Sequence, residues 1–170
     1  VAGPSAGTRL ARHVRSNWAA YVGMVLAAGI VARLAWLLAG IWRLQRLRRT
    51  GELAVVSEGY RELAALIEAG AEIRRVDRLG QPVTFGVFKP AVLLPASFHT
   101  LPEGVQRAVL AHELWHVRRR DWAWVLVEEG ICALFWFNPA MWWLVSRVQS
   151  SREEVVDELT VQLTNARKTY

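Results

Sequence analysis

Residues 18–42, WAAYVGMVLAAGIVARLAWLLAGIW, form an apolar run of 25 residues that carries one charge, Arg33. A helix of that length spans roughly 37 Å, enough to cross a hydrocarbon layer of ~30 Å with some tilt. Trp18 and Trp42 close the run at both ends, where amphipathic rings suit the membrane interface. The run is longer than the core of a secretory signal. Arg33 keeps a buried core helix open as the competing assignment, because an arginine at mid-bilayer costs at least ~2.5 kcal/mol. Gly23, Ala27, Ala28, Ala32 and Ala35 suit close packing against other helices, including an oligomer formed through the span.

Four arginines follow immediately in RLQRLRR, whereas three precede the run. Arg118, Arg119 and Arg120 tip the balance further, so the chain after residue 42 is expected on the cytoplasmic side. The net charge of +6 fits either nucleic acid or an anionic membrane surface, and nine tryptophans favour the membrane. Arg118–Arg120 lack interleaved stacking aromatics, so no direct nucleic-acid contact is expected. The single cysteine, Cys132, excludes an internal disulfide and any Cys-rich zinc module. The chain opens on Val1 with no targeting sequence in residues 1–17, and reads as an excerpt of something longer.

Residues 1–17 read as a flank and 43–70 as a basic linker followed by a surface helix. In that helix Ser57 is the expected cap, and Leu63, Leu66 and Ile67 share a face. Between 72 and 94 the pattern changes to three short strands, EIRRVDR, PVTFGVF and AVLLP, punctuated by Gly80, Pro82, Pro90 and Pro95. The next helix starts at TLPE, where Thr100 and Glu103 have capping-box spacing, and Asp121 marks its expected end. The domain over 71–165 is therefore α+β and mainly helical with a small sheet, with 166–170 as a tail.

That helix carries AHELWHVRRRD. His112 and His116 lie one turn apart on one face and can offer ring nitrogens to one ion at ~2.0 to 2.1 Å, while Glu113 on the adjacent flank can handle the proton of a reacting water. HExxH is the zinc-peptidase arrangement, and Zn2+ is the expected cofactor. In SSREEVVDELT, Glu153 and Asp157 share a helix face that Glu154 and Glu158 do not. Glu153 is the expected third ligand, and Asp157 the carboxylate that orients a ligand histidine; Glu154 is the alternative ligand. A straight membrane crossing over 122–149 would carry Glu153 some 30 Å from His112. Asn138-Pro139 instead predicts a helical hairpin with Trp136, Phe137 and Trp142 at a tip that dips into the membrane. A soluble hairpin with an aromatic core is the other reading, and Glu128 and Glu129 count against deep burial of the first arm.

PVTFGVFKPAVLLP, VLAHELWHVRRRD, FWFNPAMWW and REEVVDE, in that order, resemble the BlaR and MecR family of membrane-embedded zinc peptidases, the β-lactam sensor-transducers. The resemblance covers roughly residues 70–160; the family more often has cysteine where this chain has Val156. It implies a zincin-like fold of the gluzincin type, a cytoplasmic peptidase domain with Glu153 as third ligand, and a signalling role. The protease of such a system cleaves itself or brings about removal of a transcriptional repressor. Peptidases of this type hold an extended peptide against a strand edge, for which Thr84, Phe85, Gly86 and Val87 are the candidates, with Gly86 allowing close approach. His99 is a candidate oxyanion stabiliser. The competing function is a catalytically silent membrane transducer or anchoring module.

Overall fold

In the computed structural model, which describes the backbone of residues 6–54 and 58–166 and the side chains of 17–54 and 58–164, α1 (Ala6–Thr50) is one helix of 45 residues. The apolar run 18–42 therefore sits inside a longer helix, and the basic segment 43–49 prolongs it instead of forming a linker. Leucine, glutamine and arginine are strong helix formers, and Leu44 and Leu47 are drawn onto the sheet. Among the described residues, α1 is the one helix long and apolar enough to cross a membrane. Leu26, Ile30, Arg33, Leu37 and Leu44 are partly covered and form a stripe along one side. The small residues Gly23, Ala27, Ala28, Ala32 and Ala35 lie off that stripe and are exposed; Gly29 makes the close contact instead.

After β1 (Glu52–Leu53) and α2 (Glu58–Ile67) come β2 (Glu72–Val76), β3 (Val83–Phe85) and β4 (Ala91–Pro95). The strand order is β1-β2-β4-β3, with β2 and β4 parallel and both outer pairs antiparallel, so β3 is an edge. Two-residue β1 has no period to reveal it in the sequence. Buried β4 divides its side chains by the pleat. Val92 and Leu94 face a cluster with Tyr60, Leu63 and Ile67 of α2 and with Leu110 and Leu114. Ala91 and Leu93 face Val76, Phe85, Leu44, Leu47 and Trp122. In α2, Tyr60 is buried in place of Leu66, which is exposed; the Tyr60 hydroxyl donates to Ala71 O at 2.8 Å. Ser57 and the ends 1–5 and 167–170 lie outside the described residues.

A 3-10 turn (Ala96–Thr100) leads to α3 (Glu103–Arg119). The expected capping box does not form. Pro102 holds Leu101 extended and is itself the N-cap, leaving Thr100 two residues too early; its hydroxyl donates to Ser97 O instead. Asp121 does not end α3 but begins α4 (Asp121–Leu134), after Arg120 breaks the helix in the left-handed region at φ 56°. A short turn then leads to α5 (Pro139–Ala166), which returns along α4 and packs on α3.

Candidate metal centre

Two buried positions fix how α3 presents its polar face. Ala111 and Leu114 are fully enclosed in the core, so His112 and His116, on the neighbouring flank of the helix, turn toward α5. Fully buried Val156 seats α5 so that Glu153 and Asp157 arrive opposite them. His112 Nε2 and His116 Nε2 are 3.1 Å apart, and Glu153 Oε2 lies 3.5 Å from the first and 3.6 Å from the second. Glu154 and Glu158 are exposed, and Glu158 accepts a hydrogen bond from Gln162.

Each imidazole is also held from behind. His112 Nδ1 lies 3.0 Å from Asp157 Oδ1, and His116 Nδ1 lies 2.8 Å from Asp121 Oδ2. A carboxylate at Nδ1 favours the tautomer with hydrogen there, leaving Nε2 as an acceptor. Two ring nitrogens and a carboxylate oxygen then converge without a donor among them. Such a set is unfavourable alone and suited to a cation, so His112, His116 and Glu153 form a group that can hold a metal ion.

Buried Asp121 is more than the helix boundary that the sequence assigns to it, because its carboxylate holds His116. Arg152 is a second residue that the sequence reading does not reach. Its guanidinium lies 3.7 Å from Asp121 Oδ1 and donates to Glu128 Oε1, so a buried chain of charges runs from His116 into α4. The signal available was the lone arginine heading the acidic stretch REEVVDE.

Glu113 is buried beside the histidines and accepts a hydrogen bond from the Thr84 hydroxyl of β3. Thr84, Pro82, Trp122 and Arg152 help wall a cleft of ≈ 470 Å³ that contains His112, Glu113, His116 and Glu153. The strand expected over Thr84–Val87 stops at Phe85, whose ring is buried edge-on against Trp122 at 6.1 Å. Gly86 and Val87 belong to the turn into β4. Gly86 has φ +101°, and a Cβ there would come within 2.6 Å of Lys89 O, so this glycine serves its own turn. His99 is exposed on the 3-10 turn and does not line the cleft.

The model of the family described as BlaR1 peptidase M56 matches residues 5–170. The chain belongs to that family. Regulatory protein BlaR1 of Bacillus licheniformis is 32% identical over 84 residues, 48% of this chain and 14% of that protein. The methicillin resistance mecR1 protein of Staphylococcus aureus is 26% identical over 88 residues, 51% of this chain and 15% of that protein. The matches thus span about a seventh of each relative's own length. Membership of the M56 peptidases agrees with the mainly helical α+β fold, the long apolar helix and the metal-capable group.

Proposed function

We propose that this M56 chain is the catalytic part of a membrane-bound zinc-dependent endopeptidase, with HExxH plus Glu153 as its gluzincin-type metal set. The observation that carries this reading is the triangle of ligand atoms, with edges of 3.1, 3.5 and 3.6 Å. Tetrahedral zinc at ~2.0 to 2.1 Å from its ligands places them about 3.3 Å apart, so the set fits without rearrangement. When bound, zinc supplies Lewis-acid chemistry, lowering the pKa of water and polarising a carbonyl.

The rest falls to the chain's own groups. Asp157 and Asp121 hold the imidazoles with Nε2 toward the metal position, and the Thr84 hydroxyl fixes the Glu113 carboxylate in the same cleft. Glu113 accepts the proton of the attacking water and delivers it to the leaving amine. The peptide lies extended along the free edge of β3, where Thr84 links that edge to the general base. The arginines of 43–49 and Arg118–Arg120 support a cytoplasmic position for the cleft. There the substrate is the protein itself or a cytosolic regulator such as a transcriptional repressor, which makes proteolysis the output of a signalling event.

Glu113→Gln tests the reading. It should retain zinc stoichiometry while proteolysis, followed as self-cleavage of reconstituted protein, falls by at least about 100-fold. A chain that binds no zinc is instead a catalytically silent transducer, and cleavage that survives this substitution would overturn the reading of Glu113 as the base of a zinc peptidase.

A further inference from the structure

Three helices share a common ruler. On α1, Gly29 to Trp42 is about 20 Å; α4 from Leu134 back to Asp121 is about 20 Å; α5 from Pro139 to Glu153 is about 21 Å. Their lower ends meet. The Trp136 ring lies so close to α1 that a Cβ on Gly29 would come within 2.1 Å of it, and Trp136 Nε1 donates to Leu26 O at 3.3 Å. Higher up, Arg33 pairs with Glu129 of α4 at 3.2 Å, and its guanidinium lies 4.3 Å from the ring centre of Trp142 on α5. At the top, Leu44 and Trp122 pack against the same cluster beneath the sheet. The turn between α4 and α5 is therefore level with the middle of the apolar run 18–42.

The hairpin is also built for a medium without water. Leu134, Phe135, Phe137, Trp143 and Leu144 are exposed around its lower end. In the turn, the N–H groups of Phe135, Asn138 and Met141 donate to carbonyls at 2.9 to 3.2 Å, Ala140 N donates to the Asn138 side chain at 3.0 Å, and Pro139 has no N–H. For these four N–H groups the internal partners meet what hydrocarbon demands. Glu129 and Glu128 each face an arginine, Arg33 and Arg152. Exposed Arg147 lies six residues from Glu153, about 9 Å along the axis, within snorkelling reach of the headgroups.

We propose that α4 and the first half of α5 form a re-entrant hairpin that enters the bilayer beside α1, from the side of the α1 C-terminus. It reaches about 15 Å into the hydrocarbon, half of the ~30 Å layer, and holds the His112, His116 and Glu153 group at the level of the lipid headgroups. The partner of its exposed face is acyl chain. The inference rests on α1 as a membrane span and is independent of catalysis.

The test uses the full chain with Cys132→Ala, bearing one new cysteine at Phe137, Leu134 or Glu154, labelled with an environment-sensitive fluorophore and reconstituted in phosphatidylcholine and phosphatidylglycerol vesicles. All three positions are exposed, so substitution leaves the packing intact, and Leu134 duplicates Phe137 should either variant fail to fold. Probes at 137 and 134 should be quenched at least fivefold more by lipids brominated at mid-chain than by aqueous iodide. The probe at 154 should be quenched by a headgroup-level spin label and by iodide. Equal iodide quenching at 137 and 154 would overturn the insertion, and a probe at 154 blind to the headgroup quencher would overturn the level assigned to the metal group.

Discussion

Asp121 Oδ2 lies 2.8 Å from Nδ1 of His116, a contact made across the break between α3 and α4. The left-handed Arg120 turns the chain so that the first residue of the second helix reaches back to the last turn of the first. Carboxylates in this position typically govern metal affinity by 10 to 100-fold. Asp121→Ala should therefore weaken zinc binding by about that factor in a chelator competition titration, with helix content retained. Undiminished affinity would remove Asp121 from the site.

Glu153 and Glu154 separate the helix-face argument from its alternative. Glu153→Ala should lose zinc in metal analysis after dialysis, whereas Glu154→Ala, whose side chain faces solvent, should retain it. The reverse outcome would require α5 to be turned by about 100°.

Arg152 and Glu128 are a buried pair, with side chains 9% and 10% exposed. Removing one member strands the other, at a cost of about 3 kcal/mol. Arg152→Met should lower stability to denaturant in micelles by that order, and adding Glu128→Leu should restore part of it. If the double variant is no more stable than the single one, the pair is not the source of the loss.

Glu72 ties the end of α1 to the sheet. The Arg48 guanidinium, helped by Arg74, holds its carboxyl below the usual carboxylate range. Its stabilising effect is complete above the ordinary carboxylate pKa and disappears as pH falls through the depressed folded value. Acid titration of the wild type should show an unfolding step in this low range that is smaller in Glu72→Gln. Identical acid profiles would refute the contribution.

What was legible in the sequence was local. The helical pitch placed His112 beside His116 and Glu153 beside Asp157, and Pro139 announced the reversal that brings α5 back. The pairing of Arg33 with Glu129, 96 residues apart, has no local pattern, so Arg33 read as an argument against a membrane span and Glu129 as one against burial of α4. Together they neutralise each other. The role of Asp121 is not legible locally, because a left-handed arginine leaves no mark in composition. The close contact at Gly29 has no local signature either, because small residues on all sides of α1 look alike until a neighbour selects one face.

One uninterrupted helix, α5, carries Trp142 at one end and Glu153 eleven residues on. A rigid rod transmits axial displacement without loss. Sliding the hairpin along α1 by a single residue's rise, about 1.5 Å, would move the Glu153 carboxylate by the same amount, several times the ~0.2 Å tolerance of a metal–ligand bond. With a metal held by the proposed set, Glu153 would in this sense be a vernier on the depth of the hairpin.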